Sequence, residues 1–119
     1  MEVWTLKTCD TCRKALAWLD EAGIEYDERD VRGAGDGAGI DRDTIQRIVS
    51  AVGHERALNR RSTTWRELPD AAKEDLDGSS AIALIESHPT LLKRPVFIPE
   101  SEDAQILVGF DAGVRNALR

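Results

Sequence analysis

Residues 3–19 read VWTLKTCDTCRKALAWL, and this stretch decides the fold. Residues 1–6 are rich in apolar and strand-forming side chains, which predicts a short buried strand. From Cys12 the apolar residues recur at helical spacing, and Gly23 ends the predicted helix. Residues 24–31 then alternate apolar and charged side chains, as in a half-exposed strand. The opening therefore predicts a right-handed βαβ unit with a polar loop between the first strand and the helix.

A helical insertion is predicted between about residues 41 and 88. The evidence is apolar residues on one helix face, together with proline and serine at positions where helices start. The predicted helices lie at 41–52, at about 69–76, and from Ser79 or Ser80 to 85. Residues 56–68 mix arginines, hydroxyl side chains and a tryptophan, and no helix is predicted there.

Two short strands and a last helix complete the predicted fold. The strands are predicted at 96–98 and 105–108, and Asp111 is the predicted cap of the final helix. Residues 32–39 hold four glycines and predict a surface loop without the Gly-Lys-Ser/Thr of a phosphate loop. The chain is thus predicted to be one α/β domain over 1–119, with the order βαβ, helical insertion, ββα.

Composition and charge narrow the classes of function. Of the 119 residues, 41% are hydrophobic and 32% charged, as in a globular domain. Sixteen Lys and Arg against 22 Asp and Glu give a net charge of −6, which argues against sequence-independent DNA binding. No apolar run reaches the ~20 residues of a membrane span, and no signal-peptide pattern opens the chain. We therefore expect a soluble cytoplasmic protein that contacts neither membrane nor nucleic acid directly.

The two cysteines, Cys9 and Cys12, form one CxxC motif. A disulfide between them would close only two intervening residues and would stabilise the fold little. Cys9 is predicted to lie just outside the helix, where unpaired amide groups and the helix dipole stabilise a thiolate. Lys7, Arg13 and Lys14 can add positive potential, which the Asp10 carboxylate opposes. We therefore predict that Cys9 attacks a disulfide, a sulfenate or an oxyanion, and that Cys12 resolves the intermediate.

Two other uses of the cysteines stay open at this point. A zinc site would need two more ligands, for which only His54 and His88 are candidates, and their spacings fit no common zinc site. Two inert buried thiols are a further alternative, because free cysteine is often a core residue. The polar neighbours Thr8 and Thr11 fit that alternative poorly.

Four segments together resemble one protein family. They are TCDTCRKA at 8–15 with WL at 18–19, NRRSTTWR at 59–66, HPTLLKRPV at 88–96, and VGF at 108–110. In this order and spacing they resemble the arsenate reductase (ArsC)/Spx family, which includes glutaredoxin-linked arsenate reductases. The resemblance runs nearly end to end, and it implies a thioredoxin-like fold with a helical insertion.

The resemblance also implies the residues of the site. The family arginine next to the nucleophilic cysteine matches Arg94, the following cis proline matches Pro95, and a second family arginine matches Arg60. Two guanidinium groups near Cys9 would lower its pKa and bind an anion in a forked geometry. The predicted catalytic residues are Cys9, Cys12, Arg94 and Arg60, and the predicted binding residues are Thr8, Thr11, Arg13 and Pro95.

The function implied is that of a thiol-dependent oxidoreductase without a bound cofactor or metal. Its substrate would be a small thiol or an oxyanion, with glutathione, glutaredoxin or thioredoxin as electron donor. Residues 107–110 lack the arginine that these arsenate reductases use near the C-terminus, and Cys12 is an additional cysteine, so arsenate itself is a poor expectation. The alternative is an Spx-like redox-sensing regulator that binds the RNA polymerase alpha subunit. A third possibility is a family member that keeps the fold without turnover.

Overall fold

The fold is a mixed four-stranded sheet with helices on both faces, seen in a computed structural model that describes residues 1–33, 39–101 and 103–119. The strand order is β2-β1-β3-β4. The strands are β1 Glu2–Thr5, β2 Asp27–Asp30, β3 Val96–Ile98 and β4 Leu107–Val108. Most of the predicted glycine loop, residues 34–38, lies outside the described ranges.

Strand β1 is central, since it pairs in parallel with β2 and antiparallel with β3. Strand β4 adds to β3 in the antiparallel sense. Helix α1, Asp10–Ala22, connects β1 to β2, and Gly23 ends it in the left-handed conformation. The predicted α/β order at both ends of the chain is therefore confirmed. Strand β2 is shorter than predicted, and it consists entirely of charged residues.

Two apolar clusters cover the two faces of the sheet, because successive strand residues point to opposite sides. One face carries Val3 and Phe97, and α1 and the C-terminal helix pack on it through Ala15, Leu19 and Val114. The other face carries Trp4, Val96 and Ile98, and the insertion packs on it. Ile24 and Tyr26 pack against the first cluster although they precede β2, which explains the alternating pattern before that strand.

Five helices and a 3₁₀ turn make up the insertion. They are α2 Arg42–Val52, α3 His54–Ala57, α4 Thr63–Glu67, α5 Asp70–Lys73, α6 Gly78–Ser87 and the turn Pro89–Leu91. Helix α2 is confirmed, with its predicted apolar face buried at Ile45, Ile48 and Val49. Within the described part of the chain, no helix has the combination of length and apolar character needed to cross a membrane.

Three details of the insertion differ from the prediction. Helices α3 and α4 occupy the segment for which no helix was predicted, and α5 ends before residue 76. Helix α6 is capped by Asp77 rather than by a serine. The Asp77 carboxylate accepts the Ser80 N–H at 2.9 Å, while the Ser80 hydroxyl accepts the Asp77 N–H at 2.9 Å. Ser80 thus completes a capping box from inside the helix.

Backbone hydrogen bonds join the two ends of α4–α6. Asn59 N–H donates to Leu91 O at 2.7 Å, and Lys93 N–H donates to Ala57 O at 2.8 Å. Leu58 and Leu92 form an antiparallel bridge between the same segments. This pairing sets the start of α4 beside the segment that leads into β3.

The last helix, α7, covers Ala112–Leu118 and begins as predicted. The Asp111 carboxylate accepts the Val114 N–H at 2.9 Å, as an N-cap residue does. Gly109 precedes it with φ +86°, a left-handed conformation that favours glycine, and its N–H donates to Pro95 O at 2.8 Å. The turn before α7 is therefore fastened to the start of β3.

Candidate active site

Cys9 lies between β1 and α1 and is the N-cap residue of α1. Its backbone is extended, with φ −91° and ψ 115°, and its Sγ accepts the Cys12 N–H at 3.4 Å. Its own N–H donates to Leu6 O at 2.9 Å, which fixes the loop. The half-buried sulfur therefore sits at the positive end of a 13-residue helix, where a thiolate is favoured.

Cys12 lies one turn inside α1 and is only 1% exposed. Burial raises the pKa of its thiol to about 12, and its side-chain hydrogen bond to Cys9 contributes in the same direction. Both cysteines are free thiols. Cys12 therefore keeps its proton at neutral pH and can share it with the Cys9 sulfur.

Arg94 comes from the segment before β3 and is held by backbone carbonyls. Its Nη1 donates to Thr90 O and to Leu92 O, both at 2.8 Å. Its Nε is buried and meets no hydrogen-bond acceptor among residues 1–33, 39–101 and 103–119. The guanidinium is thus fixed at one end by the two carbonyls, and its positive charge acts on Cys9.

The pKa of Cys9 reflects opposing effects. Burial raises it, but the hydrogen bonds from the side chain and backbone of Cys12 and the positive charge of Arg94 lower it. The lowering contributions prevail, and the pKa of Cys9 lies below its ordinary value. The two thiols of the motif therefore differ in character, with the outer one favoured as thiolate and the inner one held as thiol.

Pro95 follows Arg94 through a cis peptide bond, as predicted. The proline is fully buried, and its carbonyl accepts the Gly109 N–H described above. Arg94, Pro95 and the turn before α7 therefore form one connected unit next to the cysteines.

The other predicted site residues are placed differently. Thr8 and Thr11 flank Cys9 in sequence and are exposed, and Arg13 is exposed and paired with the Asp10 carboxylate. The Arg60 guanidinium lies 5.6 Å from the centre of the Trp65 ring. In the described part of the chain Arg60 makes no hydrogen bond to Cys9. The structure thus brings Cys9, Cys12, Arg94 and Pro95 together, and places Arg60 in the turn before α4.

A pair of hydroxyls that the sequence did not point to connects α4 to this site. Thr64 Oγ1 and Thr90 Oγ1 lie 2.7 Å apart, and Thr90 supplies one of the two carbonyls that hold Arg94. The two threonines are 26 positions apart, so no local pattern could have predicted their contact. Across the described ranges, no group of three or more His, Cys, Asp or Glu side chains could hold a metal ion.

Comparison with known proteins identifies the family. The model of the ArsC family matches residues 4–117, which include both cysteines and Arg94. This chain belongs to the ArsC family. An uncharacterized protein from Haemophilus influenzae is 36% identical to this ArsC-family chain over 109 residues, which cover 92% of this chain and 90% of that protein. The global transcriptional regulator Spx from Listeria innocua is 31% identical over 111 residues, which cover 92% of this chain and 79% of that protein.

A solved structure supports the same assignment. The solution structure of an arsenate reductase (ArsC) related protein from Brucella melitensis is 34% identical and superposes with a TM-score of 0.72. The match covers 98% of this chain and 91% of that one. The predicted thioredoxin-like fold of this ArsC-family chain, with its helical insertion, is therefore confirmed.

Proposed function

We propose that this ArsC-family protein is a thiol-dependent oxidoreductase in which Cys9 is the nucleophile. The observation that supports this best is the lowered pKa of Cys9, which caps α1 next to the Arg94 guanidinium. A thiolate attacks sulfur, whereas a thiol does not. The reducing environment that keeps such thiols free is that of the cytoplasm, which is the compartment we propose.

In the first step the Cys9 thiolate attacks one sulfur of a disulfide. A bond forms between Cys9 and that sulfur, the original disulfide bond breaks, and the second sulfur leaves as a thiolate. In the second step Cys12 gives its proton to a base in solvent and attacks the Cys9 sulfur. The products are a Cys9–Cys12 disulfide and the released substrate thiol.

The high pKa of Cys12 fits this order of events. Part of the rise comes from Cys9, through the hydrogen bond and charge of its sulfur. Once Cys9 is bound in a mixed disulfide, its sulfur carries no charge, so Cys12 ionises more readily than before. Glutathione can also resolve the mixed disulfide directly. Two glutathione thiols, or glutaredoxin or thioredoxin, reset a Cys9–Cys12 disulfide by supplying two electrons and two protons.

The positive charge of Arg94 next to Cys9 favours an anionic group on the substrate, because a guanidinium binds a carboxylate or an oxyanion through charge-assisted hydrogen bonds. We propose that Arg94 binds such a group, a glutathione carboxylate for example, with Arg60 assisting from the turn before α4. The exposed Thr8, Thr11 and Arg13 would line the same approach to Cys9, and the buried Pro95 would contribute through the position it gives to Arg94.

The experiment is turnover of hydroxyethyl disulfide with glutathione as reductant. We expect Cys9→Ser to abolish turnover, because serine cannot form the mixed disulfide. Cys12→Ser should either trap the mixed disulfide, visible by mass spectrometry, or make turnover depend wholly on glutathione. Full activity of the Cys9→Ser variant would contradict the proposal.

The 31% identity to Spx supports a second candidate, a redox-sensing regulator that binds the RNA polymerase alpha subunit. The CxxC motif would then act as its switch. Pull-down with the alpha subunit, under reducing and oxidising conditions, tests this. Recovery that changes on oxidation and is lost in Cys9→Ser would support it, whereas no recovery in either state would count against it.

A further inference from the structure

We propose that the cations around α4 form a docking surface for acidic protein segments that carry the disulfide or thiol reacting with Cys9. This proposal rests on the proposed function. The surface consists of Arg60, Arg61, Arg66 and Lys73 and is called the α4 basic surface. This surface would bind a protein partner, in addition to the small thiol that is expected to bind at Arg94.

The charge distribution is the first observation. The chain carries a net charge of −6, yet residues 56–66 hold four arginines and no acidic residue. In the ranges that the structure describes, ion pairs involve Arg13, Arg29, Arg42 and the N-terminus, and none involves the α4 basic surface. Among the described residues, none of these cations is held in an ion pair, so each can attract an anion from outside.

The second observation is that the surface is ordered. Trp65 is half-buried against the insertion core, and its ring is approached by the Arg60 guanidinium at 5.6 Å and the Lys73 Nζ at 5.4 Å. Arg66 Nη2 donates to Arg61 O at 3.2 Å. Stacking on an indole holds a cation without neutralising it. A partner would therefore meet side chains that are already placed, which reduces the entropy lost on docking.

The third observation is the position of the α4 basic surface relative to the segment that carries Arg94. Thr64, next to Trp65 in α4, bonds to Thr90, whose carbonyl holds Arg94. Trp65 and Cys9 also pack against the same core cluster. The α4 basic surface thus adjoins the segment that brings Arg94 to the cysteine.

Electrostatic attraction acts before contact and is selective for sign. Exposed charges still interact over the Debye length, about 8 Å at physiological ionic strength. Clustered charge of one sign raises association rates by about 10- to 1,000-fold for oppositely charged partners. An acidic protein segment is the favoured occupant, since the acidic remainder of this chain repels an extended nucleic acid.

The test uses the full chain and three mixed disulfides of 2-thiopyridine, a leaving group that is uncharged at neutral pH. Two are peptides with a single cysteine, flanked by aspartates in one and by lysines in the other, and the third is the uncharged hydroxyethyl derivative. Cys9 displaces the pyridinethiolate, which takes up a proton to give 2-thiopyridone, and the absorbance of this product gives the rate. We expect the aspartate peptide to react about tenfold faster than the lysine peptide at low salt, with the ratio approaching one at high salt.

Two double variants of equal net charge separate position from overall charge. Arg61→Gln/Arg66→Gln should lower the ratio of aspartate to lysine rates several-fold. Arg42→Gln/Arg47→Gln, which removes two arginines of α2, should leave the ratio near that of the parent. Both variants should react normally with the uncharged disulfide.

The outcomes are distinguishable. An unchanged ratio in Arg61→Gln/Arg66→Gln would overturn the docking surface and leave the proposed function intact. No reaction of the parent protein with the uncharged disulfide would overturn the proposed function instead. Binding of a fluorescent single-stranded DNA oligonucleotide at physiological ionic strength, lost in Arg61→Gln/Arg66→Gln, would overturn the protein partner and identify a nucleic-acid surface.

Discussion

The Cys9 Sγ accepts the backbone N–H of Cys12 at 3.4 Å, so one side chain both caps α1 and carries the candidate reactive sulfur. Serine is a strong N-cap residue and alanine is a poor one. We therefore expect the Cys9→Ser protein to be more stable than the Cys9→Ala protein by about 1 kcal/mol. Urea unfolding of the two reduced proteins measures the difference. A Cys9→Ser protein less stable than Cys9→Ala would show that the cap does not operate.

The Arg94 charge should be visible in the reactivity of Cys9. Replacing Arg94 with Gln removes a positive charge that lowers the pKa of Cys9, so the pKa should rise. The measurement is the pH midpoint of Cys9 alkylation in the reduced protein, read by mass spectrometry. Arg13→Gln is the matched control, because Arg13 is exposed and paired with Asp10. A midpoint that moves equally in both variants would assign the effect to net charge rather than to Arg94.

The hydroxyl pair between Thr64 and Thr90 should position Arg94. We expect Thr64→Val to lower the free energy of unfolding by about 1 kcal/mol, the usual contribution of one hydrogen bond. It should also raise the alkylation midpoint of Cys9, because the Thr90 carbonyl that holds Arg94 loses its tie to α4. Thr64→Ser keeps the hydroxyl and should restore both quantities. A loss of stability without any change in midpoint would limit the pair to a structural role.

The buried thiol of Cys12 should make the fold sensitive to alkaline pH. In the unfolded chain Cys12 loses its proton near its ordinary pKa of 9.0, whereas in the folded chain it does so near about 12. Within this window the unfolded chain binds fewer protons, so the free energy of unfolding falls as the pH rises, by at most about 1.4 kcal/mol per pH unit. The stabilisation by the protonated Cys12 thiol is complete below pH 9.0 and is lost as the pH rises toward about 12.

The comparison for this pH effect is Cys9→Ser against Cys9→Ser/Cys12→Ala. The shared Cys9→Ser change prevents disulfide formation and leaves burial, the largest cause of the raised Cys12 pKa, in place. Urea midpoints across the window should fall more steeply in the protein that retains Cys12. Parallel curves would mean that the pKa of Cys12 is the same in the folded and the unfolded chain.

The insertion should contribute substantially to global stability. Ile48 on α2 is fully buried in the cluster that covers one face of the sheet. Ile48→Ala should cost about 2–5 kcal/mol, since it removes buried methylene groups and leaves a cavity. Ser50→Ala, at an exposed position of the same helix, should change stability by no more than about 0.5 kcal/mol. Equal effects of the two changes in urea unfolding would contradict the packing described.

Long elements with a clear period could be predicted from the sequence, and short ones could not. Helices α1 and α2 have enough turns for an apolar face to repeat, and Gly23 and Gly53 mark their ends. Helices α3 and α4 have four and five residues, little more than one turn, so no periodicity can appear in them. The start of α6 was misjudged because Asp77, Ser79 and Ser80 are all good caps, and Gly78 is a poor helix former.

The site was predictable where residues are close in sequence or where the family resemblance supplied them. The CxxC motif places the two cysteines one turn apart on a helix whatever the rest of the chain does. The Thr90 and Leu92 carbonyls hold the Arg94 guanidinium because a 3₁₀ turn forms at Pro89–Leu91. No pattern in the sequence predicts that turn. The stacking of Arg60 on Trp65 likewise depends on the short helix α4.

Strand β2 has a consequence for how the protein behaves in concentrated solution. It is the outermost strand on its side of the sheet, and it reads Asp27-Glu28-Arg29-Asp30. A free strand edge is a template on which another chain can add, and charged side chains are the usual protection against such growth. A second copy aligned in parallel and in register along β2 would bring like charges together at every position. Aggregation by strand addition is therefore opposed at this edge without any covering subunit.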